Sequence, residues 1–211
     1  HVHVVGAATE LEQEVILLAG PDGNPEAIIC AVPYLRDRDL RTVEAGEGIE
    51  EKSSKLIAGL KKHYADVCDM AETQRAQYGN IPLIAMGHLF TAGGKTNDDD
   101  GVRELYVGSL AHVGSTIFPE TVDYVALGHL HIPQCVDKKE TVRYSGSPIP
   151  MGFGEAKQLK SVVIVTFNGK HPVINLKPIP CFQMMEHVKG DMEYLLQRIQ
   201  ALSARQKSVW L

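Results

Sequence analysis

Apolar residues recur along this chain with two different periods, and the change of period marks the elements. At the start, His1-Val-His-Val-Val5 reads as strand-like, Glu14-Val-Ile-Leu-Leu18 as a strand and Ala27-Ile-Ile-Cys-Ala-Val32 as a buried strand. Pro21-Asp-Gly-Asn24 supplies a turn between the last two, because these residue types favour chain reversal. From residue 49 to 77 the period lengthens. Leu56, Leu60, Tyr64, Val67, Cys68 and Ala71 recur every three or four residues, which predicts one helix with a single apolar stripe. Lys52, Lys55, Lys61 and Lys62 fall on its other side and are expected to form a solvated face, not a DNA-facing one. His63 is expected at the surface of the same helix.

Two short apolar runs follow, residues 81–86 and 122–127, each ending in Gly-His. Between them, residues 91–101 carry Gly93-Gly94-Lys95 and Asn97-Asp-Asp-Asp100. The spacing of a phosphate-binding loop is absent, so a flexible acidic loop is expected, with a short helix or irregular segment over 102–113. Thr141-Val-Arg-Tyr144 is a strand, and Ser145-Gly-Ser-Pro-Ile-Pro150 a rigid turn. Residues 161–167 form a clear strand closed by Asn168-Gly169, a hairpin signal with Pro172-Val-Ile-Asn-Leu176 beyond it. The organisation changes between Pro178 and Pro180. There follow a strand over 184–188 and a helix over 191–205, capped by Asp191 with Met192, Leu195, Leu196, Ile199 and Leu202 as its stripe. Ser208-Val-Trp-Leu211 then reads as another strand. Residues 1–177 are expected as one unit, and 178–211 as the start of a second.

Composition narrows the reading. A length of 211 residues, 44% of them hydrophobic, is enough to bury a core of its own. The formal charge of -5 gives no global signal for nucleic acid, so any such contact needs a local basic patch. Cys30, Cys68, Cys135 and Cys181 lack Cys-x-x-Cys spacing. Three of the four sit in apolar surroundings, which predicts buried free thiols in a reducing compartment. No apolar run approaches a membrane span and no secretory signal opens the chain, so a cytoplasmic protein without membrane contact is expected.

The candidate chemistry lies in three histidines. His88 follows one apolar run, and His129 and His131 follow the other in Gly128-His-Leu-His131. Neutral imidazole is a ligand for zinc, manganese, iron and related divalent ions. Open α/β sheets place ligand sites beyond the carboxyl ends of their strands, which is where all three stand. Glycines 87 and 128 are expected to let the chain turn sharply and to permit close approach. His1 and His3 read as a frayed terminus, and His112, His171 and His187 as structural. Imidazoles alone do not complete a two-metal hydrolytic centre, which needs a bridging carboxylate between its cations. The sequence carries no Asp-x-His at a strand end, no Gly-Asp-x-x-Asp and no Gly-Asn-His-Asp.

Together these residues resemble the calcineurin-like metallophosphoesterases, and within them the SbcD family of nucleases. The resemblance is carried by Ala31-Val-Pro-Tyr-Leu-Arg36, Met86-Gly-His-Leu89, Asp123-Tyr-Val-Ala-Leu-Gly-His-Leu-His131 and Arg143-Tyr-Ser-Gly-Ser-Pro-Ile-Pro150. Residues 160–167 and 184–190 continue it, as does Val209-Trp-Leu211. It implies an α/β fold: the back half of a metallophosphoesterase β-sandwich flanked by helices, then the start of a small α+β capping domain. It further implies that His88 and His129 bind one cation and His131 a second. Mn²⁺ is the implied ion, with Mg²⁺ or another divalent cation as the alternative. The implied partners are DNA and an SbcC-like ATPase, in a homodimer within a heterotetramer. The family's front-half acidic motifs are absent, so the chain is expected to be a fragment with no catalytic activity of its own. Two rival readings are another phosphoesterase of the superfamily and a non-catalytic partner-binding module that keeps a vestigial histidine cluster.

Overall fold

In the computed structural model, which describes residues 2–42, 44, 46–91, 94, 113–204 and 209–210, short apolar segments pair into a mixed sheet under one long helix. In chain order the elements are β1 (Val15–Ala19), β2 (Pro25–Ala31), α1 (Asp37–Leu40), α2 (Ile49–Arg75), β3 (Leu83–His88), β4 (Tyr124–Gly128), β5 (Gln134–Val136) and β6 (Lys139–Tyr144). They are followed by β7 (Ser161–Asn168), β8 (His171–Pro178), β9 (Met184–Met185), α3 (Met192–Ser203) and β10 (Val209–Trp210). Six strands form one sheet in the order β1-β2-β3-β4-β6-β5. β2, β3, β4 and β6 run parallel to one another, while β1 and β5 are antiparallel edges among the described residues. The parallel strands therefore deliver their carboxyl ends to one rim.

The helical stripe read from sequence is the buried one. Leu60, Tyr64, Val67, Cys68 and Ala71 of α2 join Ile28, Cys30, Leu83, Ala85, Val125 and Leu127 in a single core. The carboxyl end of α2 is fastened to the sheet by Arg75, which donates to Asp123 Oδ2 at 2.7 Å and to the Thr121 carbonyl at 3.1 Å. The same Asp123 oxygen accepts from the Leu83 amide at 2.8 Å, so one carboxylate aligns the starts of β3 and β4. At the other end of α2, Lys52 and Lys55 pair with Asp37, Glu44, Glu47 and Glu51. This solvated, acid-neutralised face agrees with the expectation for the lysines.

Several expectations are corrected. Residues 2–5 form no strand; Val2 and Val4 lie exposed without ladder partners in the sheet. His63 is turned inward, with Nε2 at 2.8 Å from Glu14 Oε2, because the helix crosses above the fully buried Glu14 that precedes β1. β5 was not foreseen. It pairs with β6 through a two-residue turn at Asp137 and Lys138, both with positive φ. In the β7–β8 hairpin Asn168 pairs with His171, so the turn is Gly169-Lys170, one residue later than expected. Gly169 (φ 59°) has positive φ at the first turn position, where a two-residue loop needs glycine.

All four cysteines are free, but only Cys30 and Cys68 are fully buried; Cys135 is half-buried and Cys181 exposed. The neighbouring Cys68 and burial push the Cys30 thiol far above its ordinary range. The strand expected over 184–188 shortens to β9, which pairs in parallel with β10. In α3, Asp191 caps the helix by accepting from the Tyr194 amide at 2.9 Å. Its apolar stripe is largely open, with Leu202 buried but Met192, Leu196 and Ile199 exposed. The α/β class stands. Opposite α2, however, the second layer among the described residues is the two-stranded β7–β8 ribbon rather than a full second sheet. The loop over 95–101 and most of the segment over 102–113, with His112, lie outside the described residues. No described helix is long and apolar enough to cross a membrane.

Candidate metal centre

β3 and β4 pair in parallel, with His88 opposite Gly128 in register. The first Gly-His therefore ends level with the second. The two glycines serve close approach, not the expected sharp turn, since neither has positive φ. A Cβ on Gly128 would stand 3.0 Å from His88 Nδ1, and one on Gly87 would collide with the Tyr64 hydroxyl. That hydroxyl donates to the Met86 carbonyl at 3.1 Å, holding the end of β3 against α2. The turn is made by His129 itself, whose φ of 105° is one that a non-glycine residue rarely adopts.

The result is a pair of imidazoles on the strand rim. His88 Nε2 lies 3.3 Å from His129 Nδ1, and their rings meet edge to face with centroids 5.2 Å apart. Tyr34 flanks His88 and Phe90 flanks His129. The pair borders an open groove of about 700 Å³ whose lining includes Pro33, Tyr34, Met86 and Ser145. Burial, reinforced by the charge that His131 would carry, lowers the His88 pKa and favours the neutral ring. Neutral imidazole is the metal-binding form. Two nitrogens each about 2.1 Å from one cation stand about 3.0–3.4 Å apart for bond angles between about 90° and 109°. The observed separation of 3.3 Å falls in that span, so the pair fits one divalent ion.

His131 lies beyond the strand, in the loop after Leu130, and its ring turns another way. Its Nδ1 is 2.6 Å from Glu155 Oε1. Glu155 is fully buried, and its other oxygen accepts from Ser147 Oγ at 3.1 Å, from the Met151 amide at 3.2 Å and from Lys160 Nζ. Lys160 also donates to Ser147 Oγ and Gln158 Oε1, each at 2.8 Å. Burial raises the Glu155 pKa, but the bonds from Lys160, His131 and the Met151 amide outweigh it and hold the carboxyl below its ordinary range. The Ser147 amide donates to the His131 carbonyl at 3.1 Å, tying the Ser145-Gly-Ser-Pro turn to the histidine loop. Gly146 (φ 77°) closes that turn, where a Cβ would meet Pro133 and the His131 carbonyl.

Sequence reading missed Glu155 and Lys160. The one available signal was an acid and a lysine five residues apart, next to a glycine-rich turn. Among the described residues, the side chains that bring three donor atoms within 4.8 Å of one another are Glu44, Glu47 and Glu51, not the histidines. Those glutamates are partners of Lys55 on the solvated face of α2. No described carboxylate joins the His88–His129 pair within that span. His171 and His187, expected to be structural, are exposed.

No family model matches the chain. The SbcD component of the nuclease SbcCD from Escherichia coli (strain K12) is 38% identical over 202 residues, which is 92% of this chain and 48% of the relative. The chain is SbcD-like. The corresponding SbcCD component of Rhodobacter capsulatus is 30% identical over 213 aligned positions, and that of Bacillus subtilis 46% identical over 167. These alignments take in 96% and 78% of the chain. The SbcD-like chain spans about half the length of the curated relatives it matches, with 48%, 51% and 40% of them covered.

Proposed function

We propose that this chain is the rear part of the nuclease domain of an SbcD-like enzyme that hydrolyses DNA phosphodiesters. The enzyme acts as an exonuclease on duplex ends and an endonuclease on single strands or hairpins, in the cytoplasm. The observation that carries this reading is the His88–His129 nitrogen pair, 3.3 Å apart at the carboxyl rim of a parallel sheet. His88 and His129 hold one divalent cation, taken as Mn²⁺, and His131 holds a second. Bound there, two such ions would supply charge to offset that on the phosphoryl oxygens and would lower the pKa of an attacking water. Here Tyr34 and Phe90 pack edge-on against the pair, while burial lowers the His88 pKa and so favours its neutral form.

Residues 178–211, with β9, α3 and β10, begin a capping domain. An SbcC-like ATPase and a second copy of the nuclease component complete the assembly. On its own the 211-residue chain lacks cleavage activity, because three imidazoles without a bridging carboxylate do not fix two cations at the required spacing.

The test joins this chain to the front half of the Escherichia coli relative. Manganese-dependent degradation of duplex ends, abolished by His129→Ala, is the expected result. Turnover of small phosphodiesters with no cleavage of DNA would reassign the chain to another phosphoesterase. Metal-dependent cleavage of duplex ends by the unextended chain, stopped by His129→Ala, would refute its incompleteness.

A further inference from the structure

Glu155 lies outside every motif that pointed to the site, and its surroundings are unusually complete. Its carboxylate is fully buried and receives His131 on one oxygen, with Ser147, the Met151 amide and Lys160 on the other. Lys160 is itself almost fully buried, with a side chain 5% exposed, and is braced by Ser147 and Gln158. A carboxylate already paired with a lysine only accepts hydrogen bonds. The proton between Glu155 Oε1 and His131 therefore sits on Nδ1, which leaves Nε2 as the ring nitrogen that the carboxylate does not engage. A buried ion pair is in general a weak source of net stability, so what this one orients matters more than its own energy.

We propose that Glu155 is a positioning residue for the cation site: braced by Lys160 and Ser147, it holds the His131 ring in the Nδ1–H form and so presents Nε2 as a ligand. This rests on the reading of His131 as a cation ligand. The Ser145-Gly-Ser-Pro turn then has a stated task. Ser147 grips the His131 loop twice, through its amide to the His131 carbonyl and through its hydroxyl to Glu155. The arrangement is a carboxylate–histidine–cation relay of the kind that fixes ring orientation and ligand basicity.

The test begins without metal. Long-range proton–nitrogen correlation spectra of the chain read the tautomer of each imidazole, and His131 is expected as Nδ1–H. Glu155→Gln has one acceptor oxygen, which Ser147, the Met151 amide and Lys160 claim, so its NH2 group faces Nδ1 and the ring is expected to move to the Nε2–H form. A double variant, Glu155→Leu with Lys160→Met, removes the carboxylate without leaving a buried ammonium unpaired. In it His131 is expected to move to the Nε2–H form while the circular-dichroism spectrum stays folded.

Manganese(II) chloride is then titrated, and the concentration that half-broadens the His131 ring signals is expected to rise by about tenfold or more in the double variant. A His131 found as Nε2–H in the unsubstituted chain overturns the proposal whatever the variants do. An unchanged manganese half-point in a folded double variant overturns it too. If the Nδ1–H form is lost in the double variant but manganese broadens nothing in the unsubstituted chain, the positioning role stands and the cation reading falls. If the double variant unfolds, the unsubstituted chain and Glu155→Gln decide the question by themselves.

Discussion

At the scale of single residues, small side chains and short contacts set the geometry of the rim. Gly128 has room for hydrogen alone, since a Cβ would stand 3.0 Å from His88 Nδ1. Gly128→Ala is expected to push the His88 ring aside by a few tenths of an ångström. Manganese binding at the His88–His129 pair should then weaken several-fold, with stability lowered by about 1 kcal/mol or less. Electron paramagnetic resonance titration and a urea melt read the two effects separately. Asp137 gives a pH signature at another position. The Ser115 amide donates to it at 2.6 Å, and bonding to the Ser115 backbone and hydroxyl holds its pKa below the ordinary 3.8. A carboxyl whose folded pKa is depressed stabilises above its unfolded value, and the contribution disappears as pH falls through the folded one. The difference in urea midpoint between the unsubstituted chain and Asp137→Asn should therefore be constant above about pH 5, by this reasoning, and shrink below 3.8. A difference that widens toward acid would contradict it.

At the scale of elements, Asp123 links three of them. It pairs with the buried Arg75 of α2, caps the Leu83 amide of β3 and precedes β4. Asp123→Ala leaves the Arg75 guanidinium without this partner in a nearly closed site, and the expected loss is about 3 kcal/mol. Chemical denaturation measures it, and a loss under about 1 kcal/mol would mean that Glu72 and the Thr121 carbonyl suffice for Arg75.

This element also shows what was legible in sequence. The stripe from Leu56 to Ala71 was legible because a helix crossing a sheet buries one face at a fixed period. The strands ending at His88 and Gly128 were legible because parallel central strands read as apolar runs bounded by glycine. The inward turn of His63 was not, since its cause is Glu14, 49 residues away. β5 escaped for a different reason: its short segment, Gln134-Cys-Val136, has too few alternating positions to announce a strand. Glu155 was hidden because a polar residue paired inside the fold looks like any surface acid until its partners are known. Period predicts burial of apolar faces and is silent about polar pairs.

At the scale of the whole molecule, apolar surface is the outstanding feature. On the sheet face away from α2, Ile16, Leu18, Ile29, Ala31 and Met86 line a groove with Val4 and Val5, and Met86 is 45% exposed. Among the described residues β1 is the sheet edge beside that groove. The β7–β8 ribbon leaves Val162, Ile164, Val173 and Leu176 exposed as well. Contiguous apolar patches beside an unpaired strand edge favour association. The 211-residue chain is therefore expected to self-associate with rising concentration, read as an increasing weight-average mass in sedimentation velocity. Leu18→Lys places a charge on this face of the edge strand, where the native side chain is already 38% exposed. It should shift association to higher concentration while moving stability by no more than about 0.5 kcal/mol. The Ile164→Lys counterpart on the ribbon separates the two surfaces. If Leu18→Lys leaves the mass distribution unchanged and Ile164→Lys restores a monomer, the ribbon and not the sheet face is the adhesive surface. A chain that stays monomeric across the whole range without either substitution would show that these apolar patches do not drive association.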